Sequence, residues 1–336
     1  MPPDAPHGSS PPREAAPSRI SVATCGQRAR VLDPVRHGPP VPRRPSSPPA
    51  LRGRVFCGSS VVQEGLLTRA QLRSSAWRRL YPDVYACAGL DVTHTVRAVA
   101  VTRLLLPGAV ASGRTAAALW GVDARTPEDD VEVTVPPACR GGAVPGVRLS
   151  RRALPAPDVT RTRGVPVTTP LRTALDLARG LPPVDAVVAL DALVRSGLVR
   201  LIDVRGAAAG ATGRGCRRAR VAAERADGLA ESPQETRLRL VLHASALPPP
   251  VAQHTVRDAG GRFVARVDFG WPEHRLALEY EGAWHGEPQN VARDRARLNR
   301  LTAAGWRVVF VTAADLRRPA QLLARIAAEL AAPRSA

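Results

Sequence analysis

The chain has 336 residues, 44% of them hydrophobic, with a formal net charge of +19 and a pI near 11.4. It is too long for one average domain, apolar enough for real cores, and basic enough to imply a polyanionic partner, because neutralising phosphates releases counterions. No apolar run approaches the roughly 20 residues that span a bilayer, and the N-terminus lacks the apolar core of a secretory signal, so a membrane or secreted protein is disfavoured and a cytoplasmic location expected.

The five cysteines (Cys25, Cys57, Cys87, Cys139 and Cys216) are odd in number and never form a CxxC pair, which argues against a disulfide framework or a zinc site. All 48 basic residues are arginine. Coding bias of a GC-rich genome accounts for arginine over lysine, but not for the shortage of acids.

Residues 1–50 hold 13 of the 33 prolines among Arg and Ser, so they offer no packed core and are expected to form a disordered basic tail. A translation start set too far upstream would add the same kind of segment. Over 54–90 a small winged helix-turn-helix is expected. Thr68 with Gln71 is a capping-box pair that starts a short helix. Ser74 or Ser75 starts a second through Ala76-Trp77-Arg78-Arg79-Leu80-Tyr81, Pro82 ends it, and residues 83–86 form an extended wing. Residues 91–205 read as one α+β module. Its helices are predicted over 94–106, from Ser112 to Trp120, from Thr169-Pro170 to Arg179 and over 184–194, with strands over 130–136, 144–149 and 165–168. A Gly/Ala stretch and a basic helix over 217–227 then form an expected linker, 206–230, to a last domain over 231–332.

That domain opens with Ser232-Pro233-Gln234-Glu235, a helix start in which Glu235 completes a capping box. Residues 263–269 and 275–281 follow as two strands around the turn Gly270-Trp271-Pro272-Glu273-His274. The two-residue strand period puts Glu279 and Glu281 on one face and Leu278 and Tyr280 on the other. A register centred between Glu273 and His274 would set Asp268 opposite Glu279, although the sequence does not fix that register. Like charges gathered this closely cannot all stay ionised without help, and a divalent cation such as Mg²⁺ or Mn²⁺ is the usual help. Trp306 and Phe310 are expected in the core.

The succession Glu235; Val267-Asp268-Phe269; Glu279-Tyr280-Glu281-Gly282-Ala283-Trp284-His285; Arg293-Asp294-Arg295-Ala296-Arg297; Gly305-Trp306-Arg307-Val308-Val309 resembles the very-short-patch-repair-endonuclease-like branch of the PD-(D/E)XK nucleases. The resemblance implies a restriction-endonuclease-like mixed sheet flanked by helices. It makes Asp268 and Glu279 ligands of Mg²⁺ or Mn²⁺, Glu235 a residue behind them, and His285 a base or phosphate contact. The stripe Arg293, Arg297 and Arg300 would be a DNA-backbone track. One position departs from the pattern: the usual catalytic lysine is Glu281, and the chain contains no lysine. The site either handles metal as Glu-x-Glu variants do, with His285 activating water, or is degenerate and binds without cutting.

Residues 66–72, Trp77, Val84-Tyr85 and Ala111-Ser112-Gly113-Arg114-Thr115-Ala116-Ala117-Ala118-Leu119-Trp120-Gly121 resemble winged-helix antitoxin and regulator proteins of the AbiEi type. That resemblance implies a second helix in the DNA major groove, with Arg73, Arg78 and Arg79 as contacts. The expected fold class is α/β (α+β): a winged helix, an α+β module and a nuclease-like sheet. Two functions follow: a Mg²⁺-dependent endonuclease acting on DNA, or a transcriptional regulator or antitoxin-like DNA-binding protein on a degenerate nuclease fold.

Overall fold

The computed structural model describes residues 48–122, 129–140, 142–282 and 288–332, and the chain divides between Pro107 and Gly108 into two units. Of the tail expected over 1–50, only the start of a 3-10 turn, Pro49–Leu51, falls within the described residues; its Leu51 is fully buried.

In the first unit, β1 (Val55–Cys57) leads directly into α1 (Gly58–Gln63). A hairpin of β2 (Trp77–Tyr81) and β3 (Val84–Cys87) completes a sheet of order β1-β3-β2. The helix expected over 76–81 is therefore a strand. Trp77 and Tyr81 are buried while Arg78 and Arg79 are exposed, and Trp77 meets Phe56 edge-on with ring centroids 5.1 Å apart. The aromatic side chains of Trp77 and Tyr81 pack well on a pleated surface, and β3 is there to pair with. The Thr68–Gln71 capping pair does form, with hydrogen bonds of 2.7 and 3.2 Å, but closes only one 3-10 turn, Gln71–Arg73. The unpredicted α1 is held by the hairpin turn, where the Asp83 carboxylate accepts from the Ser59 N–H at 2.8 Å and its hydroxyl at 2.5 Å. As expected, α2 (His94–Ala100) follows, capped by Thr93, and runs on as a π-helical turn over Val101–Leu105.

The second unit begins with β4 (Val110–Ala111), α3 (Gly113–Leu119), β5 (Val131–Val135), β6 (Val147–Arg151), β7 (Val159–Thr162) and β8 (Val165–Thr168). Its mixed sheet has the order β6-β5-β4-β8-β7. Ser112 precedes α3 as predicted but does not cap it; its hydroxyl bonds that of Thr134 at 2.9 Å. Helices α4 (Pro170–Gly180), α5 (Pro183–Arg195), α6 (Leu201–Ala209) and α7 (Cys216–Arg225) bury Leu177, Leu190, Leu193, Val204 and Ala222 together. The expected linker is thus part of a helical bundle. The basic helix expected over 217–227 is present as α7, but its alanines give it a face slim enough to pack, with Ala219, Ala222 and Ala223 buried. Gly215 permits the entry: its φ is +79°, and a Cβ there would lie 3.0 Å from Arg179.

A four-stranded sheet of order β12-β11-β10-β9 ends the chain, from β9 (Val251–Arg257), β10 (Phe263–Trp271), β11 (Leu276–Tyr280) and β12 (Arg307–Val311). On one side, α8 (Pro233–His243) and α11 (Pro319–Ala331) cover Phe269, Trp271, Leu276 and Leu278. On the other, Leu301 of α9 (Pro288–Ala303) and Trp306 cover Ala265, Val267 and Ala277. The short α10 (Ala313–Leu316) links β12 to α11. Trp306 is in the core as expected; Phe310, on the edge strand β12, is not, being 38% exposed. Among the described residues no helix is long and apolar enough to cross a membrane, and the four cysteines there are free thiols.

The two parts of this unit are joined by a buried charge network. Asp191 of α5, 1% exposed, accepts through Oδ1 from the N–H groups of Asp227 and Gly228, each at 2.9 Å. Through Oδ2 it accepts from the Thr236 hydroxyl at 2.9 Å and Arg239 Nη2 at 2.6 Å, both on α8. Arg239, 4% exposed, also donates Nη1 to the Arg225 carbonyl at 2.7 Å. Its Nε lies 3.0 Å from Asp227 Oδ2, without hydrogen-bond alignment. Removing one partner of such a pair strands the other charge in the core. Arg239→Met is therefore expected to lower unfolding free energy by about 3–5 kcal/mol, measured by urea unfolding. A loss below about 1 kcal/mol, the range of an exposed pair, would show that this network does not hold α8 in place.

Candidate functional site

Residues β10 and β11 pair antiparallel as Phe269↔Leu278, Gly270↔Ala277 and Trp271↔Leu276, and one step further the same register sets Asp268 opposite Glu279. Asp268 Oδ2 accepts from the Tyr280 N–H at 2.8 Å. Glu279, 8% exposed, is clasped by Arg297 of α9, which donates Nη1 at 2.5 Å and Nη2 at 2.6 Å and extends Nη2 to the Arg266 carbonyl at 2.7 Å. Glu235, at the start of α8, accepts from the Glu231 N–H at 2.7 Å and from Gln253 Nε2 at 3.0 Å. Ser232 caps α8 by accepting from the Glu235 N–H at 3.2 Å, so the capping role read for Glu235 is half realised: its carboxylate reaches back to residue 231, not 232.

Burial pushes the carboxyls of Asp268, Glu279 and Glu235 above the ordinary range. At Asp268 the neighbouring Glu279 adds to that rise, and at Glu235 the charge of Asp268 does the same. At Glu279 the guanidinium of Arg297 opposes it. The charge of Glu279 thus acts on Asp268 and that of Asp268 on Glu235, whereas the third acid that the sequence reading places in this group is Glu281.

They do not fit a magnesium or manganese ion as they stand. Both oxygens of Glu279 carry a guanidinium, one oxygen each of Asp268 and Glu235 holds backbone, and among the described residues no three His, Cys, Asp or Glu side chains are placed to hold one ion. Glu281 is exposed past the end of β11, its N–H bonded to the Val311 carbonyl at 2.8 Å. His285 lies outside the described residues. Of the predicted arginine track, Arg293 and Arg300 are exposed, Arg300 Nε lying 3.4 Å from the Val264 carbonyl, whereas Arg297 turns in to Glu279. Gln253 carried no signal in the sequence. Its role depends on a left-handed backbone, φ +50°, within β9.

In the first unit Arg73 ends the 3-10 turn, and Arg78 and Arg79 stand on β2, all three exposed. They are presented by a turn and a β-hairpin rather than by a helix. Arg78 Nη2 lies 3.4 Å from the Ala88 carbonyl and Arg79 Nε 3.4 Å from that of Tyr81.

The segment Ser112–Gly121 ties α3 to both neighbouring strands. Glu132 accepts from the Arg114 N–H at 2.8 Å and Nε at 3.2 Å, while Thr115 Oγ1 accepts from the Glu132 N–H at 2.8 Å. Trp120 Nε1 donates to the Thr168 carbonyl at 3.0 Å. Gly113 makes room for this: its φ is +55°, and a Cβ there would stand 1.9 Å from Glu132 Oε2.

Residues 109–242 match the model of the AbiEi antitoxin C-terminal domain. The match takes in this segment, the five-stranded sheet and the bundle, and it ends inside α8, before the strands that carry Asp268 and Glu279. This stretch is therefore similar to the AbiEi antitoxin C-terminal domain. The chain belongs to the family of two proteins of Mycobacterium tuberculosis, "Uncharacterized protein Rv2248" (strain ATCC 25618 / H37Rv) and "Uncharacterized protein MT2308" (strain CDC 1551 / Oshkosh). It is 36% identical to each over 264 residues, 77% of this chain and 94% of theirs. A solved structure, the RV2827C protein from Mycobacterium tuberculosis, aligns over 60% of this chain and 83% of that one at 17% identity with a TM-score of 0.37.

A carboxyl whose pKa is raised by folding binds more protons folded than unfolded, so it contributes less stability as pH rises from its unfolded pKa through its folded one. Asp268→Asn removes that loss while keeping an acceptor for Tyr280. The variant is expected to melt roughly 2–4 °C above the parent at pH 7, the gap closing near pH 4 in differential scanning calorimetry. Gly113→Ala is expected to destabilise by about 1–3 kcal/mol from backbone strain alone, with the Glu132 clash adding to it; unchanged chemical denaturation would refute that.

Proposed function

We propose that this protein is a DNA-binding regulator of the antitoxin type, in which the C-terminal sheet is a binding platform rather than a cutting site. The match of residues 109–242 to the AbiEi antitoxin C-terminal domain carries the reading. The net charge of +19 supports a polyanionic partner. Arg78 and Arg79 on an exposed hairpin suit a β-ribbon approach to DNA, with Arg73 on the adjoining turn. In the last domain Arg293 remains available to phosphates. The clasp of Arg297 on Glu279, and the absence of lysine, favour binding without cleavage.

A second reading, Mg²⁺- or Mn²⁺-dependent DNA cleavage, is favoured by one observation: the register that brings Asp268 opposite Glu279. Duplexes from the region upstream of the protein's own gene, titrated with the full chain by fluorescence anisotropy, test the first reading. Binding is expected to weaken on the order of 10³-fold between about 50 and 200 mM salt, and about tenfold in Arg78→Ala/Arg79→Ala, since each lost contact is worth roughly 1–3 kcal/mol. Plasmid cutting in Mg²⁺ or Mn²⁺ that disappears in Asp268→Ala and Glu279→Ala would replace the first reading with the second.

A further inference from the structure

A groove of about 400 Å³ runs between α7 and the start of α5. Ala178, Val187 and Ala222 form its floor, Val221 its wall, and Arg217, Arg218 and Arg225 its rim. We infer that this groove binds a small organic anion with an apolar body and one carboxylate, sulfonate or phosphate head. Three observations support this. The volume lies within the range of small-molecule sites, roughly 300–1,000 Å³, which are mostly apolar with a few placed polar groups. Val221 is 41% exposed on a helix whose other exposed positions are nearly all arginine, so the groove pairs an uncovered apolar surface with concentrated positive charge.

The charge at the rim is also uncompensated. Among the described residues no carboxylate forms an ion pair with Arg217, Arg218 or Arg225, and Glu224 is the only acid on α7. A larger cavity of about 720 Å³ beside α3 and α4 makes the contrast: its Arg114 is matched by Asp129 and Glu132, and its Arg237 by Asp185. Duplex DNA would use such a rim but has no part to fill an apolar floor, whereas an anionic amphiphile uses both. The site requires no DNA binding elsewhere on the chain, so it can fail or stand independently of the regulator reading.

The test uses 8-anilinonaphthalene-1-sulfonate as a fluorescent probe on the full-length protein. Saturable binding at one site is expected, displaced by decanoate or by 1-naphthoate, the relative potency distinguishing a fatty-acid-like from an aromatic ligand. Decyltrimethylammonium should not compete. Val221→Asp and Arg217→Glu/Arg218→Glu, both altering exposed positions, should weaken the probe by more than about tenfold, since like charges facing each other are strongly unfavourable. Circular dichroism checks that each is folded, and Arg218→Gln provides a milder variant. Equal competition by the cation, undiminished binding in the folded variants, or displacement by duplex DNA alone would overturn the proposal.

Discussion

The buried pairing of Asp191 with Arg239 decides how the second unit is built. A carboxylate 1% exposed is tolerated only where donors replace its water, and Asp191 has four: two backbone N–H groups, a hydroxyl and a guanidinium. Those donors lie on the loop after α7 and on α8, so satisfying one charge fixes the exit of the bundle and the direction of α8 together. That helix serves two cores, with Leu240 packed toward the bundle and Leu238 and Leu242 toward the last sheet. The AbiEi match ends on it. The last sheet is accordingly mounted on the preceding sheet and bundle through a shared helix, not hung from a flexible tether. Glu231 adds a weaker, exposed tie between Arg195 and Arg266, at 2.8 and 2.5 Å.

The carboxylate cluster shows the opposite economy. Asp268, Glu279 and Glu235 are each held partly out of water against the preference of an ionised acid, and each rests above its ordinary pKa for that reason. A chain selected for stability alone would place amides or apolar residues there. Acids held together at one end of a sheet raise one another's cost of ionisation, and the guanidinium of Arg297 balances that cost at Glu279.

Much of this was legible before any coordinates. The two strands β10 and β11 and the turn between them are read from the apolar runs around Pro272-Glu273-His274, but their register is left open there and is set by the structure, where a slip of one residue would turn Leu276 and Leu278 away from the core. Thr169-Pro170 announced α4 by its chemistry, with Thr169 accepting from the Arg172 N–H at 3.4 Å. The failures arose where local signals were overruled by packing partners. The Trp77–Tyr81 segment became a strand because Val84–Cys87 was there to pair with it. The helix over 217–227 reads as a linker because its composition does not show that its alanine face is buried in the bundle. Arg297 reads as part of a solvent stripe because helical spacing gives the face but not what lies opposite.

That Arg297, rather than a lysine, holds Glu279 has a chemical consequence. A guanidinium stays protonated at any pH a protein survives, and its planar fork matches both oxygens of a carboxylate at once. A lysine in that position could lose its proton when desolvated and so release the acid; an arginine cannot. The clasp therefore rests on Arg297 meeting both oxygens of Glu279. It opens only if Glu279 itself is protonated, or if α9 moves away from β10 and Arg297 gives up the Arg266 carbonyl as well.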